Sequence, residues 1–369
     1  MSLENDQFKH KKTLDNQNTQ TFKLPNTRFQ GSKKKMIDKI YELIVEQFQP
    51  EHILDLFGGS SICSLYFQVS NVDVTYNDLL QFNSFNAHGL LLTDPCLIPT
   101  EDEISQIFER KEHLSYSNFI QETFQDIYYT DEENKQLDIF RENIKHVSDH
   151  NRRNIFYYLL FQSLLSKRPY NLFHRKNLSM RTAEVDRKFG NKATWDKPFI
   201  QHMLKFRTEL LNLYQHKQLH SLGNIQILNY SYDDIPECLL SDIDTLYIDP
   251  PYFKKDTPDS QYFDYYHFLE GFISQDWESQ IDFNTKNLKL KTTSKYIIES
   301  ATNMFDQIID KYHSKNLVIS YNTQSFPSVS DIQEKLEHKY KRVITKYVDY
   351  TYALSKKKSQ EVLILALVT

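Results

Sequence analysis

The chain has 369 residues, 40% hydrophobic and 25% charged, with a net charge of −5. This is the profile of a soluble globular protein of one large or two ordinary domains. The acidic balance excludes a protein that simply coats nucleic acid, so any nucleic-acid site has to be a local patch.

Residues 1–20 are polar, lack the apolar core of a secretory signal and read as a disordered tail. Ile37, Ile40, Tyr41, Ile44 and Phe48 then recur at helical spacing, up to Pro50. Ile53 to Phe57 reads as a strand, Gly58-Gly59-Ser60-Ser61 as a turn, Ile62 to Phe67 as a helix and Val72 to Tyr76 as the next strand, closed by Asn77-Asp78. That series fits the first βαβ unit of a Rossmann-like, doubly wound α/β sheet. Residues 96–220 break the rhythm with helical patterns, many charges and few strand signals, and read as a mostly helical insertion between residues 21–95 and 221–369. Strands resume at Ile225–Leu228, Thr245–Asp249 and Leu317–Tyr321. Arg342–Tyr350 and Glu361–Val368 read as a closing pair, joined through the polar Ser355–Gln360 stretch as a hairpin, which makes the sheet mixed. No apolar run reaches membrane-span length. Cys63, Cys96 and Cys238 are scattered without metal-type spacing, so the expectation is a reduced, cytoplasmic protein with neither a disulfide framework nor a metal site.

The chemistry concentrates at strand ends. Asp249-Pro250-Pro251-Tyr252 follows the apolar run Thr245–Ile248, and the carboxyl edge of an open α/β sheet is where ligands bind. A carboxylate, a prolyl carbonyl and a flat ring can together hold a planar, amine-bearing base. The same four residues also read as an ordinary sharp turn. The chain has only seven glycines, and Gly31, Gly58 and Gly59 fall in two short early segments. The turn at Asp55-Leu56-Phe57-Gly58-Gly59 departs from the dinucleotide fingerprint. Asp78, at the end of the second strand, is placed to accept from ribose hydroxyls. Turn and acid together suit a nucleoside-bearing cofactor without a pyrophosphate, which S-adenosylmethionine satisfies; a plain strand–turn–helix junction is the competing reading. Upstream, Phe29 offers an aromatic face for a purine or sulfonium, and Lys33 a cation for a cofactor carboxylate. Those residues read equally as a solvated, basic helix start.

Taken in order, Phe29-Gln30-Gly31-Ser32-Lys33, Asp55-Leu56-Phe57-Gly58-Gly59, Asn77-Asp78, Ser231-Tyr232 and Asp249-Pro250-Pro251-Tyr252 resemble the Dam-like, alpha-group DNA adenine-N6 methyltransferases from about Arg28 to the carboxyl end. The resemblance implies an S-adenosylmethionine-dependent enzyme acting on double-stranded DNA, with a target-recognition region in the insertion. It implies cofactor contacts at Phe29, Lys33, Asp55, Phe57, Gly59, Asp78, Ser231, Tyr232 and Asp249, and a catalytic motif of Asp249, Pro250, Pro251 and Tyr252. Adenine would be flipped from the duplex, with Tyr252 stacking on it while Asp249 and the Pro250 carbonyl accept from its amino group. The chain departs from the family at Ser61, where a second glycine is usual, and around Lys167–Leu178, so no recognition sequence carries over.

From Lys167 to Lys192 there are eight Lys or Arg against two acids, interleaved with Tyr170, Phe173, His174 and Phe189. This patch nominates Lys167, Arg168, Asn171, His174, Arg175, Asn177, Arg181 and Arg187 as DNA contacts; a solvated charged face is the alternative. The aromatic run Tyr262–Tyr266 reads as core or as a lid, and His267 as non-catalytic. Pro95-Cys96 lacks the rest of a cytosine-C5 methyltransferase pattern. Amino-methyltransferases of ribosomal RNA adenine or DNA cytosine-N4, and a catalytically silent DNA-binding subunit, stay open as alternatives. A cognate restriction endonuclease stays open as a partner, beside orphan or phage roles.

Overall fold

The computed structural model describes residues 22–29, 31–92, 94–185, 191–255, 262–291, 301–348 and 360–368. The expected tail, most of the expected hairpin turn and Arg187 lie outside them. Seven described strands form one sheet: β1 (His52–Asp55), β2 (Asp73–Asn77), β3 (Ile225–Leu228), β4 (Thr245–Ile248), β5 (Asn316–Asn322), β6 (Arg342–Val348) and β7 (Glu361–Leu367). Their order is β3-β2-β1-β4-β5-β7-β6. β1 pairs in parallel with both β2 and β4, whereas β7 runs antiparallel to β5 and β6. This is the doubly wound, mixed sheet that the strand series implies. The winding reverses between β1 and β4, where the connections to the two neighbours leave in opposite directions and open a crevice at the strands' carboxyl ends.

Both faces of the sheet are covered, which is why its central strands read as nearly continuous apolar runs. Successive residues alternate between two buried clusters. Ile53 and Tyr247 face one, with Ile37, Ile40 and Ile44 of α1 (Ile37–Val45). Leu54, Leu246 and Ile248 face the other, with Met304 and Phe305 of α13 (Ala301–Lys311) and Ile332 and Leu336 of α14 (Val329–Glu337). Each buried isoleucine of α1 contributes roughly 1.5–3 kcal/mol. That helix stops before the expected Phe48, because the amides of Gln47 and Phe48 both turn onto the Ile44 carbonyl.

α2 (Ile62–Val69) and α3 (Gln81–Leu91) follow β1 and β2. Between α3 and β3 come α4 (Glu101–Gln106), α5 (Phe119–Thr123), α6 (Asp131–Asn143), α7 (His150–Ser166), α8 (Ser179–Thr182), α9 (Asn191–Trp195) and α10 (Phe199–Lys217). Reciprocal capping boxes, Thr100 with Glu103 and Thr130 with Glu133, start α4 and α6. Leu159, Leu160 and Leu164 of α7 join the same cluster as α1 and Ile53, so the inserted helices pack onto the sheet through one continuous core. α11 (Tyr262–Ile273) and α12 (Trp277–Gln280) follow β4. No described helix is long and apolar enough to cross a membrane.

Candidate active site

The turn after β1 lies against the end of β4. The Leu56 amide donates to the Tyr247 carbonyl (3.0 Å), two residues before Asp249. Gly58 is required there by space: a Cβ would stand 2.1 Å from the Tyr76 ring. Gly59 is required by conformation, with φ +46°, and a Cβ there would press on the Phe29 ring at 3.0 Å. Ser61, the departure from the family pattern, has φ +63°. The backbone thus keeps the left-handed conformation that glycine favours, at a cost of roughly 1–2 kcal/mol for a residue with a Cβ.

Four side chains converge beyond β4. The Lys33 ammonium lies 3.2 Å from Asp249 Oδ1 and 3.4 Å from Glu361 Oε1, and donates to the Tyr252 hydroxyl at 2.6 Å. That hydroxyl lies 3.0 Å from Asp249 Oδ1 and 3.3 Å from Glu361 Oε2. Lys33 is only 4% exposed. Burial alone would lower its pKa, but Asp249, Tyr252 and Glu361 more than offset this and hold it well above the usual lysine range. Burial raises Asp249 and Glu361 above the usual carboxylate range, against the pull of Lys33. Lys33, expected beside a cofactor carboxylate, is therefore enclosed by the protein's own acids. Glu361 was missed in the sequence; its signal is a lone acid opening a strand whose other six residues are apolar.

Beside this cluster, Asp78 Oδ2 accepts from the Gly59 amide (2.9 Å) and Oδ1 from the Leu80 amide (2.8 Å). Burial raises its pKa. Asp55 is buried at the end of β1, accepts from Ser64 Oγ at 2.6 Å, and is pushed up to about 7 by burial. The Phe29 ring stacks on Tyr266 of α11, with centroids 5.2 Å apart and planes 7° apart. Phe57 lies 6.0 Å from Tyr232. Ser231 Oγ donates to Asp233. Thr27 Oγ1 and Ser32 Oγ are buried, with no hydrogen-bond partner among the described residues.

The basic stretch divides in two. Lys167, Arg168 and Arg181 are buried. Lys167 pairs with Glu133 Oε1 (2.8 Å) and donates to the Trp195 carbonyl (2.7 Å). Arg181 makes a two-pronged pair with the same Glu133, at 2.9 and 2.7 Å. Arg168 donates to the carbonyls of Tyr128, Leu172 and Arg175 and lies over the Tyr128 ring at 4.5 Å. With their charges committed inside, none of the three presents a face to a phosphate. Asn177 is buried as well. Arg175 and Lys176 are exposed, while Asn171 and His174 are half-buried. Tyr170 is 70% exposed, and it and Asn171 both hold positive φ, at 63° and 57°. The Phe173 amide donates to the Tyr265 carbonyl of α11 (2.8 Å), tying this loop to the first helix after Asp249–Tyr252.

His267 is fully buried, 3.0 Å from the Tyr128 hydroxyl, and burial lowers its pKa to about 3. It packs as a core histidine. Cys96 is exposed and unbridged. Among the described residues no cluster of His, Cys, Asp or Glu could hold a metal ion.

Comparison with known proteins agrees with this geometry. A family model described as D12 class N6 adenine-specific DNA methyltransferase matches residues 29–323. Type II methyltransferase M2.HphI of Haemophilus parahaemolyticus is 25% identical over 350 residues, covering 92% of this chain and 95% of its own length. Type II methyltransferase M.CviAII of Paramecium bursaria Chlorella virus 1 is 23% identical over 314 residues, covering 82% and 85%.

Proposed function

The chain belongs to the D12 class of N6 adenine-specific DNA methyltransferases, and from that premise we propose how its residues divide the reaction. The family membership displaces the ribosomal RNA, cytosine-N4 and silent-subunit alternatives. It also implies S-adenosylmethionine, which when bound supplies the activated methyl group.

The residues present fit that cofactor. Asp78 accepts the Gly59 and Leu80 amides, one on each oxygen, with the Asn83 side chain also favouring its charged form, and its remaining acceptor capacity suits a ribose hydroxyl. Phe29, backed by Tyr266, offers a face to the sulfonium or the purine. Tyr232 and Phe57 bracket the adenine end. The buried hydroxyls of Thr27 and Ser32, without a partner among the described residues, suit a polar ligand group. Asp55 supports the turn from beneath, and Lys33 serves Asp249.

For catalysis, Asp249 and the Pro250 carbonyl accept hydrogens from the adenine amino group, aiming the nitrogen lone pair away from the ring. Tyr252 lies against the base, and Pro251 fixes its direction. The Asp249 carboxylate stabilises the positive charge that develops on nitrogen. The methylated ammonium is strongly acidic and loses its proton after transfer.

On the DNA side, Arg175 and Lys176 meet phosphates, while Tyr170, Asn171 and His174 approach the bases. The relatives carry type II methyltransferase names, which supports a role in restriction-modification beside a cognate endonuclease.

The observation that carries this reading is the meeting of Asp249, Tyr252 and Lys33 at the carboxyl edge of β4. The test is modified-base sequencing of DNA from cells expressing the chain or its Asp249→Ala variant. The expected result is N6-methyladenine at one defined short sequence with the unaltered chain and none with the variant. Methylated cytosine, or equal marks from both, would overturn it.

A further inference from the structure

Glu361 opens β7, paired with Asn322 of β5 on one side and Val348 of β6 on the other. The six strand residues after it are apolar and buried. A carboxylate fully enclosed in such a place is disfavoured unless it is paired. Its carboxyl group reaches across to the catalytic motif: Oε1 to Lys33 at 3.4 Å, and Oε2 to the Tyr252 hydroxyl at 3.3 Å. These are the same two partners that occupy Asp249, and both contacts to Asp249 fall on Oδ1.

That sharing matters for the reaction. An oxygen already holding an ammonium and a phenol is a weaker acceptor for an incoming amine. To present Oδ1 as well as Oδ2 to the adenine nitrogen, Asp249 has to loosen both contacts. Lys33 cannot then be left alone, because a buried ammonium without a partner is strongly disfavoured. Glu361 offers an acceptor to each released group without either side chain leaving its place.

We infer that Glu361 is a positioning residue of the methyl transfer: it takes over Lys33 and the Tyr252 hydroxyl when Asp249 turns to the target amine. The exchange also leaves two carboxylates against one ammonium, a net negative balance facing the cationic nitrogen of the transition state. This inference rests on the assignment of Asp249 to the amine.

The test is single-turnover transfer of a labelled methyl group to DNA carrying the recognition sequence, measured against pH. The unaltered enzyme is compared with Glu361→Gln and Asp249→Ala, and melting temperature and calorimetric binding of S-adenosylmethionine are measured on each. Among the described residues, the titratable groups that face Glu361 include Lys33, Asp249 and Tyr252. With glutamine, Lys33 is left undivided to Asp249, which then ionises more readily and lets go less readily. The expected result for Glu361→Gln is a plateau rate lower by about tenfold or more, an acid limb moved to lower pH, and unchanged cofactor binding. A plateau and limb like those of the unaltered enzyme would overturn the inference. A slower plateau with an unmoved limb would also overturn it, since loss of packing alone gives that pattern. If Glu361→Gln does not fold, Glu361→Asp carries the test: its shorter reach lowers the plateau and moves the limb in the same direction, and unchanged values overturn the inference. Undiminished transfer by Asp249→Ala would instead remove the underlying reading of the site, so the two failures are distinguishable.

Discussion

The carboxyl edge of the sheet and the basic loop of the insertion both gather charge, and they use it in opposite ways. At the sheet edge, Asp249 and Tyr252 of one segment meet Lys33 of another around a site proposed to receive a base. In the loop, Lys167, Arg168 and Arg181 turn inward, and the cations act as ties. Lys167 fastens the loop's start and Arg181 its middle, both to Glu133 of α6 and to the Trp195 carbonyl near its end. The outward task falls to Arg175, Lys176 and Tyr170. A buried cation at a strand end with two acids shapes chemistry; a buried cation among carbonyls and one glutamate shapes a loop.

This contrast can be broken by substitution. Arg181→Met removes half of a buried pair, and the expected loss is about 3–5 kcal/mol of stability, measured by denaturant titration. A loss below about 0.5 kcal/mol would return Arg181 to the surface. At the sheet edge, Asp55 has a folded-state pKa raised to about 7 by burial. The folded protein therefore binds a proton that the unfolded chain releases near pH 4, and stability falls as pH rises between those values. Asp55→Asn is expected to remove a slope of up to about 1.4 kcal/mol per pH unit between pH 5 and 7. Identical slopes in variant and parent would contradict the assigned burial. Replacing Arg175 and Lys176 by alanine is expected to leave stability within about 0.5 kcal/mol and to reduce the salt slope of DNA binding by roughly 2. An unchanged slope would take both off the interface. The smallest effect is expected at Ser61→Gly, a gain of up to about 1 kcal/mol from releasing the left-handed serine; a lower melting temperature would show that the hydroxyl has a use of its own.

The two regions also differ in how far they can be read from sequence. β3 is found at Ile225–Leu228, where it was expected, because an apolar run between turn signals leaves a chain little choice. Strand ends then place their acids and glycines by position alone, which is why Asp78 and Asp249 were legible. A lysine or arginine in a loop carries no such mark. Whether it points outward depends on carbonyls and a glutamate brought from distant helices, and neither Glu133 nor the Tyr128 carbonyl is near Arg168 or Arg181 in sequence. α3 and α11 carry no one-sided pattern that announces a surface helix, since α3 buries the polar Asn83, Ser84 and Asn86 among its apolar residues and α11 is buried and largely aromatic. Glu361 sat in an expected strand, but only the register of β7 beside β5 brings it to Lys33.

The central claim is that Asp249 holds the target nitrogen for transfer. Its most direct measurement is the single-turnover rate of labelled methyl transfer by Asp249→Ala, with DNA and cofactor binding followed alongside. The account predicts a rate lower by about a hundredfold to a thousandfold, with DNA binding retained. Transfer at the parental rate would contradict it.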